Sequence, residues 1–499
     1  ERDSISVEIV RYECPRCNLV TISSRCPNCG NSTLMKRICP SCNLVTTLEI
    51  CPNCKSHTRF FEKRDINLRD LWERAIASVG VANVKGVRGM ISQYKIPEPL
   101  EKGILRARNG IYVFKDGTVR FDVTNVPLTH FRPREIGVGI EKLRELGYEK
   151  DYLGEELKDE NQILELRVQD IIIPVNGADY LLRTSRFVDE LLQKFYGISP
   201  YYNAQKKEDL LGQLVIGLAP HTSAGIIGRI IGFTNANVCF AHPYWHAAKR
   251  RNCDGDEDSL MLLLDTLLNF SRKYLPEKRG GQMDAPLVVS TILDPKEIDD
   301  EAHKMEIVSH YPLEFYEATW KQKSPSDVNV RIVNDVLDKD PYSGLKFTHD
   351  TYNITGPVTE TRYVKLSTMK EKVDAQLKVA EKIRAIDERE VAELVIDSHF
   401  LRDTYGNLRA FSRQRFRCVK CNASYRRVPL IGKCTKCGGK LLLTVSEGSI
   451  RKYMDISMDL SEKYNVSDYL KQRLLLLKKE IDSLFTNDLS KQVGLSDFM

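Results

Sequence analysis

No stretch of this 499-residue chain is apolar for long enough to cross a membrane. The strongest runs, around Leu260–Leu268 and Leu214–Phe233, are broken by Asp265 and by His221 and Arg229. Both fall short of the roughly 18 uninterrupted residues a span needs. No basic segment followed by an apolar run and a cleavage site opens the sequence. It begins at Glu1, which reads as a fragment or a processed product. A strong charge of one sign is missing too: 74 basic residues face 68 acidic ones, a net +6. Any nucleic-acid surface must therefore be a local patch. Unpaired cysteine is equally scarce, since twelve of the 14 cysteines form six CxxC pairs and leave only Cys239 and Cys253 single. That clustering in a long chain excludes a secreted disulfide scaffold and points to metal sites in a reducing, intracellular compartment.

The length suggests about three domains. The first sixty residues hold a repeat: Cys14-Pro-Arg-Cys17-Asn-Leu-Val-Thr with Cys26-Pro-Asn-Cys29 recurs 25 residues later as Cys39-Pro-Ser-Cys42-Asn-Leu-Val-Thr with Cys51-Pro-Asn-Cys54. Cys418, Cys421, Cys434 and Cys437 form a third set, with a twelve-residue gap. A CxxC knuckle presents two thiolates to one ion, and four thiolates close a tetrahedral structural zinc site. Three structural Zn²⁺ ions are therefore expected, each folding a module too short to bury a core by itself. Around the third, Arg409, Arg413, Arg415 and Arg417 interleave with Phe411 and Phe416, and Tyr425, Arg426 and Arg427 follow. Guanidinium groups that hold phosphates beside rings that stack on bases make this the candidate DNA-binding surface.

Between the zinc modules, Asp70–Val79, Glu141–Leu146 and Ser185–Phe195 read as helices, Gly110–Val123 as a hairpin turning at Asp116-Gly117, and Leu164–Val175 as strand. Short apolar runs punctuated by glycine follow at Leu214–Leu218, Ala224–Phe233, Val238–Ala241 and Leu287–Leu293. They suit a compact barrel better than a βαβ sheet, and the glycines at 225, 228 and 232 suit tight packing. A Leu-rich helix is expected over Ser259–Tyr274, a long amphipathic helix over Leu366–Ile386, and another from Ser467 with Leu470, Leu474, Leu477, Ile481 and Leu484 on one face.

The densest chemistry runs from His242 through His246, Lys249, Arg250 and Arg251 to Asn252, Asp254, Gly255, Asp256, Glu257 and Asp258. Asn252, Asp254 and Asp256 alternate, so an extended loop turns their oxygens to one side. Hard oxygen ligands suit Mg²⁺. An EF-hand fails because Glu257 takes its glycine position and Leu263 its bidentate glutamate position. Two readings remain: an acidic turn capping the Ser259–Tyr274 helix, or a catalytic magnesium site with Lys249, Arg250, Arg251 and His242 placed to hold substrate phosphates.

Asn252-Cys-Asp-Gly-Asp256, some ten residues after a His-Pro, resembles the N-A-D-F-D-G-D loop that multi-subunit RNA polymerases carry on a double-psi β-barrel. The longer run Ala241–Asp258, with Gly217–Gly225 and Gly280–Pro286, is similar to the large subunit of the archaeal family-D DNA polymerase. That subunit is longer, so the chain looks like its C-terminal part. The resemblance implies an α+β multidomain protein, a double-psi β-barrel catalytic core with zinc-ribbon modules and peripheral helices. Its segments would be tandem zinc modules over 1–60, a mixed region with part of a first barrel over 61–205, and the double-psi barrel over 206–300. A linker and long helix over 301–400, a third ribbon over 401–450, a helical segment over 451–486 and a tail over 487–499 complete it.

The implied activity is DNA-directed DNA polymerisation, nucleotidyl transfer from a dNTP to a primer 3′-OH with two Mg²⁺ ions. Asp254 and Asp256 match the metal-binding aspartates, and Asn252 stands where the RNA polymerase loop has its first aspartate. Implied partners are primer–template DNA and a smaller proofreading phosphoesterase subunit, with no membrane, in the cytoplasm and nucleoid of an archaeal cell. A second barrel bearing basic residues is also implied; Lys102, Arg106 and Lys115 are weak candidates for those residues, each better read as surface charge. Gln492-Val-Gly-Leu495-Ser-Asp-Phe498-Met499 fits the Q-x-x-h-x-x-a-a motif that docks on the sliding clamp, apart from Met499. An RNA-making or RNA-directed polymerase on the same barrel, or a non-catalytic zinc-ribbon scaffold binding DNA and clamp, are the alternatives.

Overall fold

The computed structural model describes residues 3–80, 84, 86–250, 252, 255–277, 279–342, 345–346, 352–356, 362–443 and 445–485. Arg251, Cys253, Asp254 and the tail residues Gln492, Leu495, Phe498 and Met499 lie outside them. The chain forms two compact units, Glu1–Glu360 and Thr361–Met499.

The first unit is organised by a closed ring of six strands: β1 (Phe121–Pro127), β2 (Asp170–Pro174), β3 (Leu214–Leu218), β4 (Ala224–Thr234), β5 (Val238–Ala241) and β6 (Glu257–Leu262). Around the ring the order is β2-β5-β1-β6-β3-β4, and β4 returns to pair in parallel with β2. A closed ring leaves no unpaired edge. Two strands of the ring, β1 and β2, come from before residue 206, and the other four lie within 206–300. Val288–Ser290 adds a short parallel strand to the start of β4.

Glycine makes this ring tight. A Cβ on Gly217 would lie 2.4 Å from Trp245 Cη2, one on Gly225 2.5 Å from Ile216 Cγ2, and one on Gly232 2.7 Å from Ile136. The glycines of β3 and β4 therefore make room for side chains, as their spacing suggested.

One expected element is corrected. Ser259–Tyr274 is not a single helix: β6 occupies Glu257–Leu262, and only Leu263–Asn269 (α3) is helical before a 3₁₀ turn at Arg272–Tyr274. An unbroken apolar run carries no period that separates a buried strand from a buried helix. Here Leu260 and Leu262 enter the core, and β6 pairs with β1 and β3 on its two sides.

Leu68–Val79 and Ile140–Glu145 match closely, whereas the helix expected over Ser185–Phe195 begins ten residues earlier, as Val175–Glu190 (α1), and continues through a π-turn to Tyr196. The expected hairpin survives as a tight turn. Gly117, at φ 96°, donates to the Phe114 carbonyl, and Val113 bridges Val119.

Within the second unit, Met369–Ala380 is shorter than the expected helix because Thr368 caps it, accepting from Glu371 N–H while Glu371 accepts in return. Val373, Leu377, Leu470, Leu474, Leu477 and Ile481 share its core, and Leu484 stays exposed. No helix among the described residues is long and apolar enough to cross a membrane.

Candidate active site and zinc centres

Each expected cysteine set comes together, with all four sulfurs within 4.8 Å of one another. A tetrahedron with Zn–S near 2.3 Å puts its sulfurs about 3.8 Å apart. The observed pairs include Cys14–Cys29 at 3.4 Å, Cys17–Cys29 at 3.9 Å, Cys42–Cys54 at 3.7 Å and Cys421–Cys434 at 3.5 Å. The donor sets therefore fit structural zinc. Beside the third, Arg409, Arg413, Arg415, Arg417, Arg426 and Arg427 are all exposed. Phe411 is not among the available rings: it packs edge-on against Phe485 at 5.2 Å in the helical core.

The acidic loop is built between two barrel strands. β5 leads into a short helix, Pro243–Ala248 (α2), whose N-cap His242 accepts from Tyr244 N–H at its Nδ1. α2 ends at Lys249, and Arg250 turns the chain with a left-handed φ of 62°. The loop then passes Asn252, which is exposed, Gly255 at φ 98°, and Asp256, half-buried, before β6 starts at Glu257. The element after the carboxylates is a strand, so a helix-capping role for them does not apply.

Two features fasten this loop. At its base, Lys249 and Asp258, with side chains 0% and 1% exposed, form an ion pair that closes the loop between them. Lys249 Nζ also lies 3.1 Å from His246 Nδ1 and 3.8 Å from the centre of the Trp245 ring. His246 Nε2 donates to the Val126 carbonyl of β1 at 3.1 Å, which fixes the tautomer and leaves Nδ1 to accept from the ammonium. Burial and the Lys249 charge push His246 down to about 4. Burial alone would raise Asp258, but the Lys249 ammonium and His246 outweigh it and hold the carboxyl below its ordinary range.

Further along the loop, Asn125 of β1, fully buried, holds the backbone directly. Its Nδ2 donates to Asn252 O at 3.2 Å, its Oδ1 accepts from Gly255 N–H at 3.0 Å, and its own N–H donates to Asp256 O at 2.8 Å.

These placements correct the expected phosphate contacts. Lys249 has no exposed surface, and its ammonium is committed to Asp258. His242 is 1% exposed, and burial followed by the neighbouring histidines lowers it to about 3, so it is a buried neutral group and not a surface cation. Arg250 remains exposed. Lys102 and Arg106 are not surface charges either. Lys102 Nζ donates to Asn269 Oδ1 at 2.9 Å, and Arg106 pairs with Glu98 at 0% and 2% exposure. Lys115 pairs with Asp284 at 3.2 Å, whose other oxygen accepts from His221 N–H. Thus the Gly217–Gly225 and Gly280–Pro286 segments meet in space. Asn125 was missed from sequence, and Asp258 was read only as part of the acidic run; an asparagine among the β-forming residues Val123, Thr124 and Val126 was the one available signal for the first.

A family model described as "DNA polymerase II large subunit DP2, catalytic domain" matches residues 77–372, more than half of the chain. The chain belongs to this family. Curated relatives named DNA polymerase II large subunit agree. The chain is 57% identical over 506 residues to that of Archaeoglobus fulgidus, covering 100% of this chain and 44% of the relative. It is 56% identical over 496 residues to that of Pyrococcus furiosus, covering 96% and 39%. That of Methanothermobacter thermautotrophicus is 55% identical, covering 100% and 44%. The chain thus spans less than half the length of the large subunits it matches. The matched segment contains the whole strand ring and the acidic loop.

Proposed function

We propose that this chain carries the catalytic centre of a replicative DNA-directed DNA polymerase of archaeal family D, the six-stranded ring being a double-psi β-barrel. The observation that carries the reading is the acidic loop, fastened at its base and from β1 while Asp256 and Asn252 keep solvent access. Asp254 and Asp256 hold the divalent ions, with Asn252 as a neutral auxiliary ligand. Carboxylate and amide oxygens are the hard donors that Mg²⁺ prefers. Two Mg²⁺ ions bound there supply the positive charge that activates a primer 3′-OH and offsets charge on the leaving pyrophosphate.

The protein's own part is positional. The Lys249–Asp258 pair neutralises one carboxylate of the run, so its remaining negative charge is left to Asp254, Asp256 and Glu257. Arg250 and Arg251 are the phosphate-contacting groups of this reading. The arginines around the third zinc centre hold DNA backbone. The implied smaller phosphoesterase subunit, and a sliding clamp engaged through Gln492, Leu495, Phe498 and Met499, complete the assembly in the archaeal cytoplasm at the nucleoid.

The test is Mg²⁺-dependent primer extension by the complete reconstituted assembly. Asp254→Ala and Asp256→Ala are each expected to retain zinc and to lose dNTP incorporation nearly completely. Normal extension by both variants would make the chain a DNA-binding scaffold. Extension with NTPs in place of dNTPs would make it an RNA-making enzyme.

A further inference from the structure

The buried amide of Asn125 has a role that the polymerase reading does not assign. Asparagine is disfavoured inside strands, yet Asn125 lies within β1, fully buried, at the register position opposite Cys239 of β5. On the β6 side the ladder runs only as far as Glu257 opposite Thr124. One residue further, where Asp256 would continue the strand, Asn125 takes over the pairing with its own N–H to Asp256 O. Its side chain then reaches along the loop, accepting from Gly255 N–H and donating to Asn252 O.

All three bonds go to loop backbone, so they act on the loop's path and not on any one side chain. They bracket the segment that carries Asn252, Asp254 and Asp256. Gly255 is held at φ 98°, a conformation that side chains rarely adopt. Among the described residues, an added Cβ would meet nothing nearer than Thr124 Cγ2 at 3.9 Å. The hydrogen bonds from Asn125 are thus the described contacts that hold the turn.

Two carboxylates brought to one cation repel each other before the cation arrives. A loop left to itself relieves that repulsion by opening, and metal binding must then close it again. A clamp that fixes the backbone beforehand removes this cost, as partners behind metal ligands commonly do. The amide is the group for the task because it offers a donor and an acceptor together. A carboxylate loses the donor, and an apolar residue loses both and leaves Gly255 N–H unpaired.

Resting on the reading of Asp254 and Asp256 as metal ligands, we propose that Asn125 is a positioning residue of the polymerase site, pre-forming the metal-binding loop through its backbone. The experiment uses the full-length large subunit in its complete assembly with primer–template DNA. Mn²⁺ affinity is read by electron paramagnetic resonance, and the Mg²⁺ dependence of extension is measured in parallel. Asn125→Leu, near in volume but without the amide, is expected to weaken Mn²⁺ binding by about 10- to 100-fold. It should raise the Mg²⁺ needed for half-maximal extension equally, with high Mg²⁺ restoring the rate. Asp256→Ala should not be restored by Mg²⁺, and Asn125→Leu/Asp256→Ala should bind Mn²⁺ no more weakly than Asp256→Ala alone.

Wild-type Mn²⁺ affinity in folded Asn125→Leu overturns the proposal, as does a deficit that high Mg²⁺ leaves in place. If Asn125→Leu loses its fold, Asn125→Ala, which adds no bulk, decides by the same two readouts. If Asp256→Ala itself changes neither Mn²⁺ binding nor extension, the polymerase reading of the loop falls, and the proposal with it.

Discussion

Lys249 and Asp258 offer the sharpest test of how this site is held. Both side chains are essentially without solvent contact, and each is the other's only opposite charge in direct contact among the described residues. Removing one partner from such a pair strands a buried charge and costs about 3–5 kcal/mol, whereas replacing both by apolar groups is often neutral or better. Asp258→Asn is therefore expected to destabilise the first unit by about 3–5 kcal/mol. Lys249→Met should do the same, since it leaves Asp258 with only a neutral imidazole nearby. Lys249→Met/Asp258→Leu should recover most of either loss, giving a coupling of several kcal/mol that neither single change predicts. A chain of several modules does not unfold in one step, so the probe must be local. Trp245 is that probe: it is fully buried, touches Lys249, and is one of three tryptophans. With Trp72→Phe and Trp320→Phe in the background, urea unfolding followed by Trp245 fluorescence reports this corner of the barrel alone. Strictly additive single and double changes would refute the reasoning. So would a Lys249→Met variant within about 0.5 kcal/mol of wild type, the behaviour of a surface residue; dNTP affinity lost at unchanged stability would return Lys249 to the phosphate role.

Two further outcomes follow from burial in the same region. His242 and His246 are held neutral to about 3 and 4, so below pH 6.5 the unfolded chain binds protons that the fold refuses, and stability falls with falling pH by about 1.4 kcal/mol per unit for each. His130 is likewise held down to about 4 by burial, and Asp265, pushed up to about 6 by burial, works in the opposite direction below pH 6, leaving a net loss of about 2.8 kcal/mol per unit between pH 6 and 4. Urea midpoints at Trp245 across that range check this, and His242→Gln should halve the net slope. Gly217→Ala places a Cβ 2.4 Å from the Trp245 ring and is expected to cost about 1–3 kcal/mol, read as a lowered melting temperature and a shifted Trp245 emission.

What could be read along the chain was what its chemistry keeps local. The twelve cysteines of the three four-sulfur clusters are legible because a knuckle's geometry is contained in four residues. β3, β4 and β5 were bounded by glycine and polar breaks almost to the residue. β1 and β2 were harder, because their place in the ring is decided by partners far along the chain: β2 pairs with β4 and β5, and β1 with β5 and β6. The buried network of Lys102, Asn269 and Asp265 was invisible for the same reason. Its bonds span up to 167 positions, and a lysine and an aspartate seen singly look like surface residues.

The acidic run shows what alternation can and cannot say. Asp254, Asp256 and Asp258 repeat every two residues, and a uniform strand would turn all three to one face. The ladder separates them. Asp258 lies within it, opposite Val123, and its side chain turns into the barrel to meet Lys249. Asp256 lies one residue outside the ladder, its carbonyl held by Asn125 and its side chain half-exposed. The same residue type at the same spacing thus becomes a structural counter-ion on one side of the boundary at Glu257 and a candidate metal ligand on the other. The boundary falls there because β1 offers Asp256 a strand bond to its carbonyl and then, in Asn125, an amide in place of further ladder. A substitution that extends β6 by one pair should therefore act as a loss of the metal site with the barrel intact, and deleting the Asn125 amide is the smallest change that tests where that boundary is set.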